Sequence, residues 1–141
     1  MSSLLPSKAN ISNNFYNLKM NSTSHPISIE LTEEQATSGQ DIHGIIYLSY
    51  GSRYDTIVIN SQIEDSSGTF EFVELNGRKI DYPYPRFSIF EKDISGQKKI
   101  TFTTRTNHVP RDASVKVKFR VSIIQEHKEI ASDISYLNLC K

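Results

Sequence analysis

The clearest pattern of apolar and polar positions along the chain lies between residues 115 and 124, which read VKVKFRVSII. The odd-numbered positions are all apolar, and most of the even-numbered ones are basic or polar. Alternate side chains of a strand point to opposite faces of its sheet, so this segment predicts a strand with one face in a core and one in water. Val and Ile dominate the apolar set, and β-branched residues favour strands over helices.

The same alternation returns in shorter segments along most of the chain. These segments begin near residues 27, 42, 57, 70, 87, 98 and 130 and are separated by polar or glycine-containing stretches. Asn76-Gly77 is a strong hairpin signal, because both turn positions require a positive φ. Tyr82-Pro83-Tyr84-Pro85 predicts an extended connection or an edge strand, since proline cannot donate to a ladder. Eight or nine short strands with regular turns predict an all-β, two-sheet antiparallel β-sandwich.

Composition divides the chain into a polar start and a single predicted domain. Twelve of the first 25 residues are Asn, Ser or Thr, a composition that buries too little apolar surface to offset its ordering entropy. Two interpretations of residues 1–25 stay open: a flexible tail, or a segment that docks as an added edge strand or in a groove of its own or a neighbouring copy. Phe15 and Tyr16 lead the apolar cluster that would make this contact. Residues 26–141 are predicted to form one β-sandwich domain.

Charge and cysteine content limit the expected partners and compartments. Lys and Arg together number 16, as do Asp and Glu, so the chain has no overall attraction for nucleic acid. Cys140 is the only cysteine, which excludes an intramolecular disulfide and fits a reducing compartment. The first residues lack the apolar stretch of about 7–15 residues found in a secretory signal, and no segment reaches the roughly 20 apolar residues of a membrane span. We therefore expect a cytoplasmic protein without a transmembrane segment.

No grouping of residues points to an active site, a metal or a cofactor. The four histidines lie in four separate segments, without the close spacing of metal-ligand motifs. No serine has the surroundings of a nucleophile elbow, and every glycine stands alone, so a phosphate-binding loop is missing. We therefore expect a protein that is not an enzyme and holds no cofactor.

Two sets of residues are candidates for partner binding. Lys116, Lys118 and Arg120 share one face of the predicted strand, about 7 Å apart, and would form a basic row that meets an acidic partner or an anionic surface. The alternative is a solvated outer face on which lysine discourages edge pairing. Tyr82 and Tyr84 belong to a group of tyrosines, a residue type enriched in protein interfaces. Sandwich corners also use tyrosine, so a purely structural role stays open.

Residues 38 to 48, SGQDIHGIIYL, carry a recognisable strand-start pattern. Gly39, Ile42, Gly44, Ile46 and Leu48 reproduce a Gly-x-x-Ile-x-Gly-x-Ile-x-Leu strand start. This segment resembles the second strand region of arrestin-like domains, and other immunoglobulin-like sandwiches show a similar strand start.

The resemblance covers about residues 27–139, because later elements follow in the order that arrestin-like domains show. A strand, a loop at Val109-Pro110 and the long alternating strand succeed one another. Membership would imply a cytoplasmic adaptor or scaffold that binds other proteins through strand edges and loops. Full arrestins pair two such sandwiches whereas this chain has room for one, which suggests self-association or a partner that supplies the second half.

Two functions are compatible with these features. The first is a non-enzymatic protein–protein interaction module, an adaptor or scaffold of arrestin-like type, whose partner is another protein or a second copy of itself. The alternative is an extracellular or envelope immunoglobulin-like module for adhesion or carbohydrate binding, with its leader or anchor outside this sequence. The Asn/Ser-rich start favours the alternative slightly, and the lone cysteine favours the first function.

Overall fold

The structure, a computed structural model, describes residues 25–141, and Phe15 and Tyr16 lie outside this range. Ten strands and one single-turn helix follow one another within it. Their bounds are β1 Ile27–Leu31, β2 Gln35–Thr37, β3 Ile42–Leu48, β4 Thr56–Ile63, β5 Glu71–Leu75, β6 Arg78–Tyr84, β7 Arg86–Phe90, α1 Glu91–Ile94, β8 Lys99–Arg105, β9 Ser114–Gln125 and β10 Lys128–Cys140. Strands hold 62% of the described residues and helix 3%, so the all-β prediction is confirmed.

The strands form two sheets of five that stack as a β-sandwich. Sheet A has the order β2-β10-β9-β4-β7, and sheet B has the order β1-β3-β8-β5-β6. Neighbouring strands are antiparallel except β2 and β10, which run parallel. The two-sheet β-sandwich predicted from the sequence is confirmed.

The number of strands and one orientation correct the prediction of eight or nine antiparallel strands. The sequence assigns residues 33–40 to a polar connection, whereas three of them form β2 beside Asn138–Cys140 of β10. Only Ala36 of this strand is buried. Because backbone pairing and not an alternating apolar pattern defines β2, the sequence carries no signal for it.

The strand with the clearest sequence pattern, β9, lies in the middle of sheet A. Val117, Phe119, Val121 and Ile123 are fully buried, so the predicted inward parity is correct. The chain then reverses at Glu126-His127, where both residues have positive φ, 50° and 67°. Such a turn suits the right-handed twist of the two strands, and β10 pairs with β9 along its whole length.

Aromatic rings from both sheets meet at the centre of the core. Phe119 of sheet A contacts Phe70 and Phe72 edge to face, with ring centroids 5.2 and 6.3 Å apart. Phe72 in turn contacts Phe102, at 5.7 Å. The Phe102 ring lies directly over Gly44, its cross-strand partner in β3. The absence of a side chain at Gly44 therefore makes room for the ring.

The two lateral sides of the sandwich differ in whether their strand edges are covered. On one side, β1 of sheet B lies against β10 of sheet A, and the Ile29 N–H donates to Asp133 Oδ2 at 2.9 Å. On the opposite side, β6 and β7 are the last strands of their sheets and are joined through Pro85 alone. Neither has a strand on its outer edge in the described part of the chain. We call this second side the open side.

Candidate binding surface

Strand β7 presents unpaired backbone groups on the open side. The Phe90 N–H donates to Asp93 Oδ2 at 3.0 Å, so it points away from β4. Backbone groups of an antiparallel strand alternate between its two edges. Ser88 and Arg86 therefore direct their N–H and C=O to the open side, while Phe87 and Ile89 direct theirs to their partners in β4. A row of this kind is a template for another extended chain.

Strand β6 forms the facing edge and is irregular. Its pairing with β5 is interrupted between Lys79 and Tyr84, where four residues of β6 face Val73 alone. One of the four is Pro83, which has no N–H to donate. Extra residues and proline both discourage further pairing. The open side thus has one regular free edge, on β7, and one blunted edge, on β6.

A groove of about 770 Å³ lies between the two edges. Its floor is apolar, because Leu75, Ile80 and Phe87 pack against the core and stay partly exposed. Ile94 of α1 is buried at one end, and Ser88 lines the wall formed by β7. The volume falls within the range of about 300–1,000 Å³ that ligand clefts occupy. The open side is therefore a shaped surface with an apolar base.

Basic side chains surround this groove. Arg78 and Lys79 of β6 and Lys92 of α1 line it, and none of the three forms an ion pair in the described part of the chain. Asp93 is the only acidic residue of the lining, and its Oδ2 accepts the Phe90 N–H. The groove therefore carries excess positive charge, although the whole chain has a formal net charge of zero.

The sequence prediction missed these three cations. A local signal existed for two of them, since the turn at Asn76-Gly77 places Arg78 and Lys79 at the start of a return strand. Lys92 lies in α1, which follows β7 of the other sheet, and it approaches them only because the chain crosses between the sheets at Pro85. This crossing depends on the tertiary fold and leaves no mark in residue spacing.

The predicted basic row lies on the outer face of sheet A and is partly neutralised within the fold. Arg120 Nη2 is 2.6 and 2.5 Å from the two carboxylate oxygens of Glu129. Lys116 Nζ is 5.1 Å from the ring centroid of Tyr136. Lys118 is the member of the row without an ion pair or ring contact among the described residues. Their common face is as predicted, and a role in partner binding stays a prediction.

The predicted tyrosine pair lies on the edge strand β6. Tyr82 is 73% exposed and Tyr84 51% exposed, and the predicted edge position is correct. Neither residue lines the groove on the open side. Their part in binding stays a prediction, as does the docking of Phe15 and Tyr16, which lies outside the described residues.

Two carboxylates have a lowered pKa because of particular hydrogen bonds. Burial raises the pKa of Glu33, but the His43 ring and backbone N–H, each 2.8 Å from a carboxylate oxygen, outweigh it and lower the net value. The hydrogen bond from Arg120 lowers the pKa of Glu129; burial opposes this shift and the Ser122 hydroxyl assists it. Neither pair lines the groove.

Two tyrosines have a raised pKa, and they too are absent from the lining of the groove. Burial raises the pKa of Tyr47, with Glu30 adding to the shift, and burial likewise raises the pKa of Tyr54 beside Glu91.

Within residues 25–141, no three His, Cys, Asp or Glu side chains lie close enough to hold a metal ion. No helix in the described range has the length and apolarity required to cross a bilayer.

The sequence matches no family model and no curated protein. Among solved structures, it is similar to a conjugative transposon lipoprotein from Bacteroides eggerthii, at 11% identity and a TM-score of 0.46, over 81% of this chain and 96% of that one. It is similar to self-complemented MyfA, the major subunit of Myf fimbriae from Yersinia enterocolitica, at 13% identity and a TM-score of 0.46, over 82% and 98%. For the enterotoxigenic E. coli adhesin CfaE the identity is 9% and the TM-score 0.48, over 81% of this chain and 48% of that one. At these values the likeness concerns the β-sandwich arrangement and assigns no ligand.

The predicted cytoplasmic location is contradicted by these comparisons. The similar structures are described as lipoproteins, adhesins and a fimbrial subunit. The prediction relied on the lone Cys140 and on the lack of a signal-like apolar stretch in the first residues. A sandwich of this size has a sufficient core without a disulfide, so cysteine content is a weak guide to compartment. We withdraw the cytoplasmic location. The comparisons also give no support to the arrestin-like subtype.

Proposed function

We propose that this chain is a non-enzymatic, immunoglobulin-like binding module that takes up a protein partner along the open side of its sandwich. The observation that carries the proposal is the groove between β6 and β7, which combines an apolar floor with a regular unpaired strand edge. Exposed apolar surface beside unpaired backbone groups is characteristic of interaction sites. With the cytoplasmic location withdrawn, we assign the module to the extracellular or envelope setting.

Other parts of the described surface support partner binding less well. On the opposite side of the sandwich, Asp133 holds the Ile29 N–H of the β1 edge. On the outer face of sheet A, Arg120 is paired with Glu129 and Lys116 lies over Tyr136. Groups already satisfied within the fold must lose their partners before they can bind another protein, which reduces the net gain.

The non-enzymatic part of the proposal is supported by the dispersal of the perturbed ionisable groups. Catalytic sites gather groups with displaced pKa values in one cleft. The four such groups here, Glu33, Tyr47, Tyr54 and Glu129, are absent from the lining of the groove. No observation favours an arrestin-like adaptor or a carbohydrate site over a general protein-binding role.

The test is site-directed photo-cross-linking of the full chain in cells that make it. A photoreactive benzoylphenylalanine replaces Lys92, which lines the groove, or Lys118, the matched control on the outer face of sheet A. We expect a discrete protein adduct from position 92 that excess unlabelled protein competes away, and none from position 118. Equal yields from both positions, or no adduct from position 92, would contradict the proposal.

A further inference from the structure

We infer that the groove receives an extended, acidic segment of the partner protein, which adds to sheet A as a sixth strand beside β7. This inference rests on the proposed function and specifies the conformation and charge of the bound segment. Three features of the open side carry it: the backbone edge of β7, the apolar floor of the groove and the unpaired cations around it.

The edge of β7 determines where an added strand pairs. A neighbouring strand lies about 4.8 Å away in a sheet, so it would exchange hydrogen bonds with Ser88 and Arg86 and reach the C=O of Phe90. The N–H of Phe90 is already held by Asp93, which ends the available edge beside α1. Because β7 has five residues, the paired segment is about five residues long.

The two faces of the added strand would meet different surfaces. Side chains of one parity would lie over the groove floor, where Ile80 and Phe87 are partly exposed. Side chains of the other parity would lie beside Phe90, which is 45% exposed on the outer face of sheet A. Apolar or β-branched residues toward the floor, alternating with polar ones, therefore fit this site.

The positive charge of the groove favours an acidic segment. Arg78, Lys79 and Lys92 line the groove and have no ion-pair partner among the described residues. Residues 1–24 of this chain contain two lysines and no Asp or Glu, so they complement the groove poorly. An anionic polysaccharide or nucleic acid would satisfy the cations but leave the N–H and C=O groups of β7 unpaired. An acidic polypeptide satisfies both.

The test measures binding of labelled ten-residue peptides to the full chain by fluorescence anisotropy at low ionic strength. The probe alternates threonine and glutamate, which suits an acidic strand. A second peptide alternates threonine and lysine, and a third repeats the acidic sequence with N-methyl groups on its backbone nitrogens. We expect saturable binding of the first peptide, with a Kd tighter than about 1 mM, and at least about tenfold weaker binding of the other two.

Charge-reversed variants locate the site. Lys79→Glu with Lys92→Glu removes two cations from the groove, and Lys116→Glu with Lys118→Glu makes the same change of net charge on the outer face of sheet A. We expect the groove variant to weaken binding about 25-fold, at roughly fivefold per lysine, and the control variant to leave it within about twofold. Ser88→Pro, which removes one N–H at the free edge of β7, should weaken binding similarly.

Each other outcome overturns the inference. Equal binding of the N-methylated peptide would mean attraction by charge alone, and equal loss in both charge-reversed variants would place binding outside the groove. Heparin that binds the wild-type chain but not the groove variant, while the acidic peptide fails to bind, would indicate a polysaccharide site. Light scattering that shows a dimer abolished by Ser88→Pro would assign the edge to a second copy. If the acidic peptide does not bind but the cross-link at position 92 still forms, the acidic added strand is refuted and the proposed function stands.

Discussion

Replacing Gly44 by alanine tests the tight packing of the Phe102 ring over this glycine. A Cβ at this position would lie against Cζ of Phe102 and within 2.8 Å of both Cε atoms of its ring. The ring cannot move freely, because it contacts Phe72 at 5.7 Å. Overpacking of this kind costs about 1–3 kcal/mol, and a displaced ring loses about 0.5–1.5 kcal/mol of aromatic contact. Removal of glycine's chain entropy returns about 0.5–1 kcal/mol, so we expect a net destabilisation of about 2 kcal/mol.

Equilibrium urea unfolding measures this loss as a lower midpoint at an unchanged m-value. Gly51→Ala is the matched control, since no atom lies within 4 Å of the point that its new Cβ would occupy, and we expect its stability to stay within about 1 kcal/mol of wild type. In a Phe102→Ala background the clash is gone, so Gly44→Ala should cost nothing there. A Gly44→Ala protein within about 0.5 kcal/mol of wild type, or a cost that persists without the ring, would refute the packing argument.

Three further changes probe the core, a buried hydrogen bond and an ion pair. Phe119→Ala should lower the free energy of unfolding by about 3–5 kcal/mol, because this fully buried side chain packs between the sheets; a loss below about 1 kcal/mol would contradict its position. Thr104→Val should cost about 1–3 kcal/mol, since its buried hydroxyl donates to the Glu71 carbonyl at 2.7 Å; urea unfolding without a change would contradict that bond. Glu129→Gln should cost at most about 1 kcal/mol at pH 7, because its pair with Arg120 is solvent-exposed. The pKa of Glu129 is lowered in the folded state. Its stabilising effect is therefore present above the unfolded pKa of about 4.3 and is lost as the pH falls further. A difference in unfolding free energy between the variant and wild type that grows on acidification would contradict this sign.

The strands were predictable where one face is buried and the other is exposed to solvent. Phe119 and its neighbours in β9 show this alternation, and their burial follows it. The hairpin at Asn76-Gly77 was predictable because few residue pairs tolerate two positive φ angles. The turn at Glu126-His127 also has two positive φ angles, but its residues are less typical of such a turn. Its position could therefore be predicted only from the strands on either side. Strand β2 was missed because backbone pairing at a sheet edge leaves no alternation in the sequence.

The candidate binding surface was predictable only in part. Pro83 indicated an edge strand, and the structure places β6 at the edge of sheet B. The basic row at Lys116 was easy to identify because its members alternate within one strand. The groove cations were not predicted because Lys79 lies on β6 and Lys92 lies in α1 after β7, and the two meet only through the crossover at Pro85. Single charges in sequence carry no information about such a meeting.

Amide hydrogen exchange along β7, measured by NMR on the full chain, tests the free edge most directly. The amides of Phe87 and Ile89 face β4, so they should exchange slowly, whereas those of Arg86 and Ser88 face the open side and should exchange nearly as fast as in an unstructured chain. The acidic peptide should then protect Arg86 and Ser88 without altering the other two. If Arg86 and Ser88 are as protected as Ile89 in the free monomer, the edge is already covered and the open side is not a binding surface.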